Sequence, residues 1–186
     1  MKGTEEGWYL TFDDGPTPGV TDEVIALLER YQIKASFFLL GTQLAKHPEY
    51  LPILLSKGHA IGFHGHQHQD GFMKSTAWMQ QNFIRPSVLP DVSLFRAPYG
   101  RMWPWQYRQL KKLGQWVHWT CMVGDFYPTG HRLTDPQLLT HRLSKLSSHE
   151  LFVFHDSKKA KDQVIWMLKA VIETGLQRGV TFRILG

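Results

Sequence analysis

Several residues in this sequence have the types and spacing that hydrolytic or metal chemistry needs. Asp13 and Asp14 are adjacent carboxylates inside Thr11-Phe12-Asp13-Asp14-Gly15-Pro16. Asp-Gly and Gly-Pro both mark turns, but one aspartate suffices for a turn. Two neighbouring carboxylates repel, and a cation or an arginine beside them relieves the repulsion. His64, His66 and His68 fall within five residues, next to Gly62 and Gly65. His64 and His68 are four apart, so a helical turn would set both imidazoles on one side, a common way to hold a first-row metal. Two imidazoles and one carboxylate leave positions open for water and substrate, which favours a catalytic over a closed structural site. Zn²⁺ is the default expectation, and His66 competes as a ligand. Arg96 opens Arg96-Ala97-Pro98-Tyr99, Asp125 precedes Phe126, and His155 precedes Asp156. Taken singly, a surface arginine before a proline turn or a structural histidine at a strand end explains these equally well.

What they share is placement. Short β-type runs predict strands at Trp8 to Phe12, Ala35 to Leu40, His59 to Gly62, Ser93 to Arg96, Gln115 to Thr120, Leu151 to His155 and Val180 to Leu185. Helices are expected between most of them. One is capped by Thr21, with Val24, Leu27, Leu28 and Tyr31 on its face. Others run from Pro48 to Lys57, from Ser75 or Thr76 through Trp78, Met79, Asn82 and Phe83, from Pro104 to Gly114, from Asp135 to Leu146 and from Asp162 to Arg178. About seven strands alternating with helices is the pattern of a parallel α/β sheet, open or closed into a barrel. In either form chemistry collects where strands end and loops begin. Asp13 and Asp14 follow the first predicted strand, the three histidines the third, Arg96 ends the fourth, Asp125 follows the fifth, and His155 and Asp156 end the sixth. Packing alone does not account for acids, imidazoles and a guanidinium arriving at one rim.

The 186 residues, 42% of them hydrophobic, suit a packed globular chain, and a single domain over 1–186 is expected. The single cysteine, Cys121, excludes an intramolecular disulfide. The net charge of +5 reads as solubility. Attraction to an anionic polymer is the sharper alternative, yet the basic residues are scattered in pairs such as Lys111-Lys112 and Lys158-Lys159, and no motif points to nucleic acid. No apolar run is long enough to span a bilayer. The opening Met1-Lys2-Gly3-Thr4-Glu5-Glu6-Gly7 shows no export signal, which leaves localisation open, as it does the oligomeric state. Seven tryptophans are many for this length. Most belong to the core, but sugar faces stack on exposed indoles, which mildly favours a glycan site.

In this order, the residues resemble the polysaccharide deacetylases with a NodB-homology domain, carbohydrate esterase family 4. Thr11 to Pro16 and Arg96 to Tyr99 match that family's first and third motifs in full. His64 to His68 matches its His-Ser/Thr-x-x-His except that Gly65 stands at the hydroxyl position; Asp125-Phe126 stands where Asp-Trp is usual, and Val153-Phe154-His155 where Leu-x-His is usual. The likeness runs from Tyr9 to Phe182. It implies a distorted (β/α) barrel and one divalent metal, Zn²⁺ or else Co²⁺ or Ni²⁺, held by Asp14, His64 and His68. It implies Asp13 as general base oriented by Arg96, His155 as general acid tuned by Asp125, and the Tyr99 N–H as an oxyanion donor. Phe126 and Val153 would line a pocket for the acetyl methyl, and Trp119 would contact substrate. The implied reaction removes N-acetyl groups from amino sugars of a chitooligosaccharide or peptidoglycan type of glycan. An O-acetyl esterase acting on acetylated xylan is the near alternative, and a non-catalytic glycan-binding module a more distant one. A non-haem iron oxygenase built on His68-Gln69-Asp70 would need an all-β fold and fits poorly.

Overall fold

The computed structural model describes residues 5–84, 86–89 and 92–186. Met1 to Thr4, part of the opening segment read above, lie outside them. The chain forms β1 (Trp8–Asp13), α1 (Val20–Arg30), β2 (Ser36–Leu39), α2 (Gly41–Lys46), α3 (Tyr50–Ser56), β3 (Ala60–Phe63), α4 (Thr76–Asn82), β4 (Leu94–Phe95) and α5 (Pro104–Leu110). It continues through β5 (Gln115–Trp116), β6 (Cys121–Met122), α6 (Pro136–Ser144), β7 (Glu150–His155), α7 (Val164–Gln177) and β8 (Phe182–Arg183). Every strand pairing is parallel, in the order β5-β4-β3-β2-β1-β7-β6. β8 pairs with Trp8 and Tyr9 at the start of β1, below the point where β2 joins it at Thr11.

This is the expected distorted barrel, with eight strands among the described residues where about seven are expected. The predicted strand from Gln115 to Thr120 is broken, because its two ends pair with opposite edges of the sheet. Val117 donates its N–H to Phe95 O at 2.8 Å, whereas Thr120 donates to Leu151 O at 2.9 Å. Residues 117–120 therefore carry the chain across the gap between β5 and β6, and the curl is closed by covalent chain rather than by a ladder.

The central strands β1, β2 and β7 bury both faces, which is why they read as nearly unbroken apolar runs. Trp8, Leu10 and Phe12 alternate outward and pack with Val24 and Leu28 of α1 and Val164, Leu168 and Val171 of α7. Phe12 stacks on Phe37 and Phe154, with ring centroids at 4.9 and 5.5 Å. The inward residues form a separate cluster of Tyr9, Phe38, Leu94, Val117, Leu151 and Leu185. Toward the C-terminal strand ends this inner column turns polar. Thr11 then Asp13 follow Tyr9 on β1, Arg96 follows Leu94, and Val153 then His155 follow Leu151 on β7.

Ser75 and Asp135 cap α4 and α6 as their positions suggest, accepting from Trp78 N and Leu138 N. Thr21 does not cap α1. The helix starts two residues earlier than that cap would set it, at Val20 after Gly19, whose N–H is taken by Asp22 at 2.7 Å. Thr21 is instead buried against the site.

Candidate active site

The C-terminal ends of β1, β3 and β7 and the segments after β4 and β6 open onto a cavity of about 310 Å³ lined by Asp13, Asp14, His64, His68, Tyr99, Trp119, Phe126 and His155. Arg101, Met122, Ser157 and Lys159 complete its wall. A larger cavity of about 590 Å³ lies at the opposite end of the barrel, around Tyr9, Lys34 and Phe182, and holds none of these residues.

The two adjacent carboxylates are separated by one backbone torsion. Asp13 continues the inward alternation of β1. Asp14 has φ 78°, a left-handed conformation that aspartate tolerates better than most residues, and its side chain turns toward the histidines. Gly15 follows so closely against Asp156 that a Cβ there would lie 2.0 Å from Oδ2. The Asp156 carboxyl accepts the Gly15 N–H at 3.1 Å and the Thr21 hydroxyl at 2.6 Å. Burial, reinforced by the Asp14 and Asp13 charges, pushes it up to about 8. Asp156 and Thr21 thus brace the turn from below.

Asp13 belongs to Arg96. The guanidinium is fully buried, donates from Nη1 to Asp13 Oδ1 at 2.6 Å and Thr11 Oγ1 at 2.8 Å, and from Nε to Val117 O at 3.3 Å. Its plane covers the Phe38 ring at 4.2 Å. Burial works against the Asp13 charge, but Arg96, His64 and His155 together hold its carboxyl below the usual carboxylate range.

Asp14 is placed differently. His64 and His68 come from an irregular loop after β3, not from the helical turn expected, and Gly65 within it has φ 82°. His64 Nδ1 lies 3.0 Å from Arg96 O. A carbonyl only accepts, so Nδ1 carries the proton and Nε2 presents a lone pair. That Nε2 is 3.5 Å from Asp14 Oδ1, and His68 Nε2 is 3.3 Å from the same oxygen. Asp14 Oδ1 is buried without a hydrogen-bond partner. Burial also pushes His64 down, toward the neutral form that ligation requires. Three donor atoms within 4.8 Å of one another, one of them an orphaned carboxylate oxygen, fit a cation.

His66 stands apart from this cluster. Its ring lies over Gly41 and lines a separate cavity of about 200 Å³ with Trp78, Gln81 and Asn82. Asp70 accepts from Phe72 N at 3.0 Å and pairs with Arg101, which removes it from any His-x-Asp ligand set. Asn82, which the sequence marks only as part of a helix face, holds the histidine loop. Its carbonyl accepts His66 N at 2.6 Å, its Oδ1 accepts Gln67 N at 3.0 Å, and its Nδ2 lies 2.9 Å from where a Cβ on Gly65 would be. The one available signal was an amide among Trp78, Met79 and Phe83.

On the facing side, Asp125 is fully buried and grips His155 twice, Oδ1 to Nδ1 at 2.9 Å and Oδ2 to the backbone N at 2.6 Å. Burial opposes charge on His155, but the Asp125 carboxylate outweighs it and the imidazole is pushed up to about 9. Phe126 meets that ring edge-on at 5.0 Å. Tyr99, with φ 61°, is half exposed and packs on His68 at 4.6 Å. Val153 is buried in the column beneath His155, not in the cavity wall; Met122, its register partner on β6, takes that place.

Residues 1–116 match the family model described as polysaccharide deacetylase. A peptidoglycan-N-acetylglucosamine deacetylase of Bacillus cereus is 24% identical over 93% of this chain and 83% of its own length. A chitooligosaccharide deacetylase of Bradyrhizobium sp. is 34% identical over 50% of this chain and 45% of its own. Among solved structures, the Xyl-CE4 domain of a multidomain xylanase from the hindgut metagenome of Trinervitermes trinervoides superposes with a TM-score of 0.80 at 26% identity, over 98% of this chain and 88% of that one. With its model matched over more than half the sequence, this chain belongs to the polysaccharide deacetylase family, a family of hydrolases.

Proposed function

We propose that this protein is a metal-dependent hydrolase that removes N-acetyl groups from amino sugars of a chitooligosaccharide or peptidoglycan type of glycan, releasing acetate. The observation that carries the proposal is the division of labour between two adjacent carboxylates. Asp13 has one oxygen paired with Arg96, while Asp14 faces the Nε2 atoms of two imidazoles with an unpaired oxygen.

Asp14, His64 and His68 would hold one divalent ion, with Zn²⁺ the first choice and Co²⁺ or Ni²⁺ next. Such an ion supplies Lewis acidity for the acetamide carbonyl and lowers the pKa of water, the two things amide hydrolysis lacks at neutral pH. Asp13, kept ionised by Arg96, takes the proton from the attacking water. The Tyr99 N–H donates to the oxyanion that develops on the carbonyl. An amine leaves poorly unless protonated, and His155, kept charged by Asp125, gives it a proton. Met122, Phe126 and Trp119 enclose the acetyl methyl. Ester hydrolysis on acetylated xylan is the competing reading, favoured by the likeness to the xylanase domain.

Acetate release should be measured on N-acetylglucosamine oligomers, peptidoglycan fragments and acetylxylan, after chelation and after return of Zn²⁺, Co²⁺ or Ni²⁺. Release from the amino sugars that disappears with chelator and returns with metal is expected. Full activity after chelation overturns the metal-dependent mechanism; release from acetylxylan alone replaces the amidase by the esterase.

A further inference from the structure

An aromatic platform leads away from the cavity. Tyr99 and Arg101 line the cavity itself. The Arg101 guanidinium lies 5.8 Å from the Tyr99 ring and 5.7 Å from the Phe72 ring. Phe72 stacks on Trp103 at 4.4 Å and 19°, and Trp103 stacks on Trp105 at 4.7 Å and 12°. Trp105 ends the row half exposed. The platform is firmly built. Gln106, fully buried, donates to Gly71 O at 2.9 Å and Lys74 O at 3.0 Å and accepts from Trp103 N at 2.9 Å, tying the loop that carries Phe72 to the start of α5. Asp70 and Arg101, paired beside the rings, add a carboxylate and a guanidinium with donors to spare.

Resting on the glycan reading above, we propose that Trp105 stacks a further sugar of the same polymer, beyond the unit that loses its acetyl group. Continuity with the cavity through Tyr99 and Arg101 selects this occupant over a second protein copy. The half-exposed indole of Trp105 suits the apolar face of a pyranose, the Asp70–Arg101 pair at the Tyr99 and Phe72 end of the row offers polar groups to hydroxyls nearer the cavity, and a preformed stack spares the ligand the cost of ordering it. Phe72 and Trp103 separate Trp105 from the cavity, so an N-acetylglucosamine dimer seated on the cavity stops short of it, whereas a pentamer reaches it.

The test compares the parent, Trp105→Ala and Trp105→Tyr on the dimer and the pentamer, by acetate release and by calorimetric binding of the pentamer. Trp105→Ala should raise KM for the pentamer about tenfold, the scale of one aromatic stacking contact, with kcat held. The dimer should be processed as by the parent, and Trp105→Tyr should recover most of the loss. An unchanged pentamer KM, or equal losses on dimer and pentamer, overturns the platform. Should the parent release no acetate from either sugar, the proposed function fails by itself. Pentamer binding then decides the platform alone, and equal affinities for the parent and Trp105→Ala overturn it.

Discussion

Asp125→Asn should move the alkaline limb of the activity profile without dismantling the site. In the parent, Asp125 holds the His155 imidazole at about 9 against the effect of burial, compared with an ordinary 6.5. The difference corresponds to about 3 kcal/mol favouring the charged ring. Asparagine keeps one carbonyl oxygen for the His155 N–H of the backbone, but it carries no charge and turns an amide toward Nδ1, which favours the neutral ring. Burial is then opposed only by the Asp14 and Asp13 carboxylates, and the imidazole falls toward 6.5. At pH 8 a group at about 9 is about nine-tenths protonated, and one at 6.5 about one-thirtieth, so turnover of an amide should drop about 30-fold there. Near pH 6 most of the loss should vanish. The assay is kcat against pH for acetate release from an N-acetylglucosamine oligomer, with an activated aryl acetate as control, whose leaving group needs no proton and which should lose far less. The same shift carries stability. His155 is raised on folding, so its contribution is complete below about 6.5 and is lost as pH climbs through about 9. The variant should therefore lose its stability deficit relative to the parent in that alkaline window. A rate loss of equal size at every pH, or a limb that stays near 9, would refute the assignment of His155 as the acid.

The two carboxylates can be separated by metal content. Asp14→Asn should lose both metal and rate, while Asp13→Asn should keep its metal and lose turnover by about 10²–10⁴-fold; the reverse pattern exchanges their roles. Asn82→Ala leaves Gln67 N without its side-chain partner and loosens the histidine loop, so metal affinity by competition titration should fall about 10–100-fold with the circular dichroism spectrum intact; unchanged affinity removes Asn82 from that role. His59 is buried, accepts from Ala35 N, and is pushed down to about 4 chiefly by burial. A depressed folded value means the contribution is present above 6.5 and lost as pH falls toward 4, a loss of about 3 kcal/mol in urea unfolding that His59→Gln, which cannot titrate, should flatten.

The strand-end residues were legible because each follows an apolar run, and period two fixes which face it meets. Asp13, His64, Arg96 and His155 therefore arrive together although they span most of the chain, and Asp14, which the alternation would send to the other face, is brought back by its left-handed φ of 78°. What escaped reading depends on partners distant in sequence. Gln115 to Thr120 has a strand's composition throughout, but its ends hydrogen-bond to Phe95 and Leu151 on opposite edges of the sheet, a division that local pattern does not encode. Thr21 has the residue type of a cap and is spent instead on Asp156, 135 positions away. Val153 sits at the motif position expected to line the pocket, yet it lies in the buried column while Met122 of the neighbouring strand takes the wall. The helical spacing of His64 and His68 suggested a turn. The loop reaches the same convergence through a left-handed Gly65 and the amide of Asn82, contributed by a helix that begins eight residues beyond His68.

Arg96 explains why so few residues suffice. A buried guanidinium is costly unless it is paired and its donors are used, and here Asp13 and Thr11 take Nη1 and the Val117 carbonyl takes Nε while Phe38 covers its plane; Nη2 is buried without a partner. The charge pair sits at the level where the barrel interior changes from apolar to polar. The arginine's main chain serves the other half of the site, since the Arg96 carbonyl fixes the His64 tautomer and aims Nε2 at Asp14. The N–H of the same residue is bonded to Phe63 O, one residue before His64, so the arginine and the histidine are held in one register. Side chain to Asp13 and backbone to His64, one residue just beyond a two-residue strand orients both the proposed proton acceptor and the proposed ligand. A shift of β4 would disturb them together, and the covalent closure of the barrel just beyond it, through Val117 to Thr120, limits such a shift.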